Sequence, residues 1–255
     1  MLVPIAAGLV LGAGLWPNAH GGGTVDRDLA APPSTIAIED DPATAPGQPG
    51  LPGPVSTLTT ATATPRPSTG LDLEDDFSDR LSGWGEAVNP KGSIGYAQGA
   101  YQVTINQPNR GTFVPAPWAD VPANVTIEVD ATKTSGGLGS FGVACRDDAG
   151  LRYSALVDIN TAWRITRIDV AGAQPRRLVS GTTTAIQRSG TNHVAFECKG
   201  GSAHSPVDLT LYVNGQKVGH VLDADGLGTG RVGVEVASGT QAVSVAFDDI
   251  VAGEP

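Results

Sequence analysis

Leu209-Thr210-Leu211-Tyr212-Val213-Asn214-Gly215-Gln216-Lys217-Val218-Gly219-His220-Val221 reads as two strands joined by a two-residue turn. Asn-Gly supplies two neighbouring residues that tolerate positive φ, as a type I′ hairpin turn requires at both central positions. Ahead of the turn, Leu209, Leu211 and Val213 alternate with Thr210, Tyr212 and Asn214. Successive side chains of a strand point to opposite faces, so this period of two marks a strand with one buried side.

The same alternation recurs on both sides of the hairpin. Tyr101, Val103 and Ile105 share a face, as do Val125, Ile127 and Val129. Phe141, Val143 and Cys145 repeat the pattern, and so do Val194, Phe196 and Cys198. Runs at Leu151–Ile159, Trp163–Val170, Arg231–Val236 and Val243–Val251 complete the set, separated by Gly-rich turns. In the Trp163–Val170 run, Trp163, Ile165 and Arg167 lie opposite Arg164, Thr166 and Ile168. No stretch keeps a 3.6-residue apolar period over three turns. Roughly a dozen short strands with turns every 8–12 residues predict an all-β, two-sheet antiparallel sandwich or jelly roll. Phe77, Trp84, Phe141, Phe196 and Phe247 are assigned to its core.

Composition divides the chain. Nine of its nineteen prolines lie between residues 31 and 70, among Ala, Thr, Ser and Gly. Such a segment buries too little apolar surface to offset its ordering entropy, so residues 26–70 are expected to be a disordered linker. Residues 71–255 are the size of one sandwich domain. Before the first charge, Asp26, runs a twelve-residue apolar stretch, Ile5–Trp16. A membrane-spanning helix needs about twenty such residues and a signal-peptide core roughly 7–15. Residues 1–25 are therefore read as a signal peptide or an N-terminal membrane anchor, and release versus anchoring stays open. The expected location is extracellular or in the cell envelope. The formal net charge of −10 is dispersed, and no basic stripe matches a phosphate backbone, which argues against nucleic acid. The chain has two cysteines, Cys145 and Cys198. An even count in an exported chain, with both thiols on core-facing positions, predicts a structural disulfide.

In order, Asp75-Asp76-Phe77-Ser78-Asp79 with Gly83-Trp84, Phe141-Gly-Val-Ala-Cys-Arg146, Phe196-Glu-Cys198, Leu211-Tyr-Val-Asn-Gly215 and Ala246-Phe-Asp-Asp-Ile-Val251 resemble the concanavalin A-like lectin/glucanase jelly roll. More narrowly, residues 73–251 are similar to exported bacterial domains related to the 3-keto-disaccharide hydrolase domain. The resemblance implies two curved sheets packed face to face, with sugars held on the concave face. Fold analogy alone does not carry function over.

Glucanases of this type carry a Glu-x-Asp-x-Glu or Glu-x-Asp-x-x-Glu strand, with its carboxylates on one face as nucleophile and acid/base. The nearest match, Glu128-Val129-Asp130-Ala131-Thr132-Lys133, lacks the third carboxylate. Glu128 and Asp130 are accordingly read as solvated side chains opposite the core, and no catalytic residue is assigned. A carboxylate pair assembled from distant strands is invisible to this reading. No histidine pair has ligand spacing, so no metal site or cofactor is assigned. Asp75-Asp76 and Asp248-Asp249 converge if the first and last strands are neighbours. A structural Ca²⁺ there is weighed against the preferred reading, edge-protecting turn residues. For a ligand, Arg146, Tyr153, Trp163 and Arg164 are the concave-face candidates, with stacking for a pyranose ring and charge-assisted bonds for hydroxyls. Ordinary core packing is the competing reading for Trp163. The sequence thus points first to an exported or envelope-tethered, non-catalytic module for a glycan or another envelope component. A glycoside-processing hydrolase and a protein-contacting structural or sensory ectodomain are the alternatives.

Overall fold

The structure is a computed structural model, and it describes residues 73–119 and 121–255. The apolar leader and the linker lie outside the described residues. The described chain runs β1 (Leu73–Asp75), β2 (Ala87–Asn89), β3 (Gly92–Ala97), β4 (Ala100–Ile105), β5 (Gly111–Pro115), β6 (Val125–Gly136) and β7 (Gly139–Asp148). It continues through β8 (Leu151–Asp158), β9 (Ala162–Ile168), β10 (Arg176–Thr182), β11 (Thr191–Gly200) and β12 (Val207–Val213). The last three strands are β13 (Gln216–Asp223), β14 (Arg231–Ser238) and β15 (Val243–Gly253).

Two antiparallel sheets form a jelly-roll sandwich. One has the order β13-β12-β11-β6-β15-β4-β3-β2, with β1 also on β15; the other is β10-β9-β8-β7-β14-β5. The hairpin that decides the fold forms as the sequence requires. Val213 pairs with Gln216, and the turn between them has φ of 48° at Asn214 and 77° at Gly215. The inward set of each strand is the apolar set of the alternation. Leu209, Leu211 and Val213 meet Val194, Phe196 and Cys198 in one sheet, and Phe141, Val143 and Cys145 in the other; all are fully buried. Phe77, Trp84 and Phe247 join the same core. Fully burying side chains of this size contributes about 1.5–3 kcal/mol each, and this burial supplies the force that closes one sheet over the other.

Cys145 and Cys198 form a disulfide with Cα atoms 6.7 Å apart. It ties β7 of the six-stranded sheet to β11 of the nine-stranded one through the core.

The strict alternation fails at one place that matters. Arg146, next to Cys145, is expected opposite the core, yet it is buried. The reason is a β-bulge. Arg146 has φ of 58°, and the pairing of β7 slips both against β8, between Cys145 and Asp148, and against β14, between Arg231 and Gly233. An inserted residue shifts the pleat by one. Cys145 and Arg146 therefore both turn inward, and Asp147 is delivered to the opposite face. The Arg146 guanidinium closes the end of the sandwich by donating to four backbone carbonyls: Leu227 at 2.7 Å, Ala123 at 2.9 Å, Gly201 at 3.0 Å and Gly200 at 3.1 Å. Burial lowers its pKa from the ordinary arginine value.

Candidate functional site

The outer face of the six-stranded sheet is the floor of a groove of about 1520 Å³. One hydrogen-bonded row crosses it from Phe113 on β5 through Glu235, Gly142 and Leu156 to Arg164 on β9. The next row runs Pro115, Gly233, Ala144, Ser154 and Thr166. Gly142, Gly233, Ala144 and Ser154 are small, and Arg152 on β8 reaches across β7 to Glu235 on β14. Trp118 lines one wall, just beyond β5, and residues 171–175, between β9 and β10, line another. Trp118 is half-buried, with its ring edge-on to Trp84 at 6.1 Å.

The polar groups of the floor form a connected set. Glu235, 5% exposed, accepts hydrogen bonds from Arg152 Nε at 2.8 Å and from the Ser154 hydroxyl at 2.7 Å. Asp147, 2% exposed, accepts one from Arg231 at 2.6 Å, and a second nitrogen of Arg152 lies 4.0 Å away. Arg152 also lies over the Phe113 ring, 4.8 Å from its centroid, which adds a cation–π attraction. Arg164 differs from these. It donates to the neutral Ser140 hydroxyl at 2.6 Å, and among the described residues no carboxylate lies within 4.0 Å of its guanidinium. Burial lowers its pKa most, Glu235 raises it, and neighbouring Arg177 lowers it. Asp158, on the same face, has its carboxyl pKa raised by burial, against the opposing pull of the Asn160 amide and Arg164.

Of the four expected ligand residues, the structure brings only Arg164 to this groove. Arg146 is inside, by the bulge. Tyr153 is fully buried on the core side of β8, with its hydroxyl donating to Asp223 at 2.7 Å and accepting from the Leu227 amide at 3.0 Å. Burial pushes that phenol up to about 12. Trp163 belongs to the core, 9% exposed. It fills the space between the sheets where Gly219 of β13 and Gly181 of β10 leave room; a Cβ there would lie 2.4 and 2.8 Å from its ring. For Trp163 the packing alternative is therefore the right one.

Glu128 and Asp130 do sit on the outer face of β6, opposite the core. They hold the His193 ring, Asp130 at 2.8 Å and Glu128 at 3.3 Å. These two hydrogen bonds raise the imidazole pKa to about 9, so His193 is a cation at neutral pH. In the nine-stranded sheet β1 pairs with β15, which brings the two acidic pairs to neighbouring strands. Asp75 uses one oxygen on the Phe77 amide at 2.7 Å and the other on Trp84 Nε1 at 2.9 Å. Among the described residues, no three His, Cys, Asp or Glu side chains are grouped as metal ligands.

The floor carboxylates were missed for identifiable reasons. Glu235 is legible as outward-facing within Arg231–Val236, but its partners Arg152 and Ser154 are about 80 residues away in sequence. Asp147 is hidden by the bulge. Trp118 follows Pro115-Ala116-Pro117, where no alternation exists to read.

No protein-family model matches the chain, and no curated protein matches it significantly. Among solved structures, it is similar to a protein of unknown function with a galectin-like fold from Bacillus subtilis. That match has 10% identity and a TM-score of 0.52, and covers 73% of this chain and 96% of that one. A prokaryotic β-1,3-1,4-glucanase (lichenase) from a mouse hindgut metagenome matches at 9% identity and a TM-score of 0.52, over 72% and 99% of the two chains. The fold is concanavalin A-like. A sialidase also matches, at 13% identity and a TM-score of 0.48, over 72% of this chain; the chain spans only 18% of that protein. The disulfide leaves β7, one of the strands of the groove floor, on its core side.

Proposed function

We propose that this concanavalin A-like domain is an exported, non-catalytic glycan-binding module that holds a saccharide chain in the groove over β5, β14, β7, β8 and β9. The observation that carries the reading is the combination on one face of a half-buried tryptophan, a floor of fixed polar side chains, and Arg164 with no carboxylate partner among the described residues. An aromatic ring beside fixed hydrogen-bond donors suits a sugar, which offers an apolar pyranose face and a rim of hydroxyls. The lichenase of the same fold acts on β-1,3-1,4-glucan by its name, which agrees with a saccharide partner. The disulfide supports export, because such bonds persist in oxidising compartments.

Binding is favoured over hydrolysis by how the floor carboxylates are used. A glycosidase needs one carboxyl ready to give a proton and another free to attack or to activate water. Glu235 and Asp147 are instead each engaged by an arginine side chain, so neither stands free to attack or to activate water.

The test is a thermal-shift panel of polysaccharides and oligosaccharides on the full chain, with hydrolysis followed by reducing-end release. A ligand that binds only the native state raises the melting temperature by mass action. The expected result is a shift with one saccharide class, lost in Trp118→Ala, and no release of reducing ends. Reducing ends that appear with wild type and vanish in Glu235→Gln would establish the hydrolase reading instead.

A further inference from the structure

The groove carries charge opposite to that of the chain. Five arginines line it, Arg110, Arg152, Arg164, Arg177 and Arg231, against three carboxylates, Asp147, Asp158 and Glu235. That leaves a net of +2 in a chain whose formal charge is −10. Glu235 and Asp147 are neutralised locally by Arg152 and Arg231. At the β9–β10 end the balance is different. Arg164 has only the Ser140 hydroxyl as its hydrogen-bond partner, and neither Arg164 nor Arg177 has a carboxylate within 4.0 Å among the described residues. Both line the groove, where Glu235 and Asp158 attract Arg164 and Arg177 repels it.

A half-buried guanidinium whose hydrogen-bond partner is a neutral hydroxyl is less well compensated than one held by a carboxylate. An anion received by Arg164, with Arg177 beside it on the groove lining, supplies that compensation. From β5 to β10 the sheet is six strands wide, about 24 Å at the usual strand spacing. That length takes several sugar units, with Trp118 at the opposite end from the arginine pair.

Building on the glycan-binding reading, we infer that the ligand is an acidic glycan, with a carboxylate or sulfate group received by Arg164 and Arg177 while another of its sugars stacks on Trp118. The planar guanidinium fork matches a carboxylate or sulfate edge through two parallel hydrogen bonds, which a hydroxyl does not offer. The acidity of the remaining surface repels such a polymer everywhere else, so the groove is where it is held.

The experiment is calorimetric titration of the full chain with polygalacturonate, alginate and chondroitin sulfate. Each is run beside its carboxyl-reduced or desulfated neutral counterpart, at low and at physiological salt. The expected result is that at least one acidic polymer binds tenfold or more tightly than its neutral form, with the difference shrinking as salt rises. Arg177→Gln, on an exposed side chain, should lower affinity for the acidic polymer and leave the melting temperature unchanged. Arg164→Gln keeps a donor for Ser140 and should remove most of the discrimination. Equal binding of acidic and neutral forms, or wild-type discrimination in Arg177→Gln and Arg164→Gln, overturns the inference while leaving the glycan-binding reading intact. Binding of no saccharide, acidic or neutral, overturns both.

Discussion

Breaking the Cys145–Cys198 bond isolates one covalent tie between the two sheets. The cysteines are 53 residues apart in sequence. On the chain-entropy model, closing a loop of that length removes about 14 cal/mol/K from the unfolded ensemble, or about 4 kcal/mol at 25 °C. A domain of this size loses about 2–4 °C of melting temperature per kcal/mol, so reduction should lower it by roughly 8–16 °C. Both cysteines are fully buried, hence reduction must be carried out on the unfolded chain and the thiols counted before refolding. Scanning calorimetry would then compare oxidised protein, reduced protein and Cys145→Ala/Cys198→Ala. The reduced wild type fills the same volume and reports the tie alone. The double alanine variant adds the loss of two buried sulfur atoms and should melt lower still. A reduced protein with two titratable thiols that melts within 2 °C of the oxidised form would refute the reasoning. The bond would then contribute no net stability to the sandwich.

Three further outcomes are expected. His193 has a folded pKa of about 9, above an unfolded value of about 6.5. Its contribution is therefore fully present below about pH 6.5 and lost as pH rises through about 9. Because the side chain is 43% exposed, this is worth about 1 kcal/mol after screening, and the melting-temperature gap between wild type and His193→Gln should close between pH 6.5 and 10. Arg146→Met leaves four carbonyls without their donor and should destabilise by about 2–4 kcal/mol, seen as an urea midpoint well below wild type; an unchanged midpoint would refute the end-closing role. Asp248 has its carboxyl pKa raised, chiefly by burial and then by Asp249, Asp130 and Asp76, so its ionisation opposes folding above the ordinary value and ceases to as pH falls below it. Asp248→Asn should raise the melting temperature at pH 7 and leave it unchanged in acid. If the neighbouring carboxylates bind Ca²⁺, adding it raises wild type, and this rise disappears in Asp248→Asn.

What the sequence reveals depends on whether the responsible interaction is local. Alternation over Leu209–Val213 identifies the buried face because the pleat alone determines it, and Asn214-Gly215 identifies the turn because both residues adopt positive φ. The cysteine pairing is legible from parity within two strands. By the same logic Arg164 is placed correctly on the outward face of β9. Parity misleads at Arg146, where an extra residue shifts the pleat, and it does not reveal that the inward face of β8 at Tyr153 is fully enclosed. Trp163 needs knowledge of Gly181 and Gly219 across the sandwich before its pocket is visible. The groove floor is the least legible part, since Glu235, Asp147 and Arg152 come from three strands and meet only when the sheet is assembled.

The pairing of Leu73 with Ala252 brings the first and last strands of the domain side by side on the sheet that does not carry the groove. A domain whose ends meet in this way interrupts a longer polypeptide only locally, like a bead whose two threads leave through one hole. It can be carried within a loop of another protein or repeated in tandem with the chain entering and leaving on the sheet opposite the groove. It also makes the domain suited to circular permutation, with the old ends joined by a few residues and new ones opened at the Asn214-Gly215 turn.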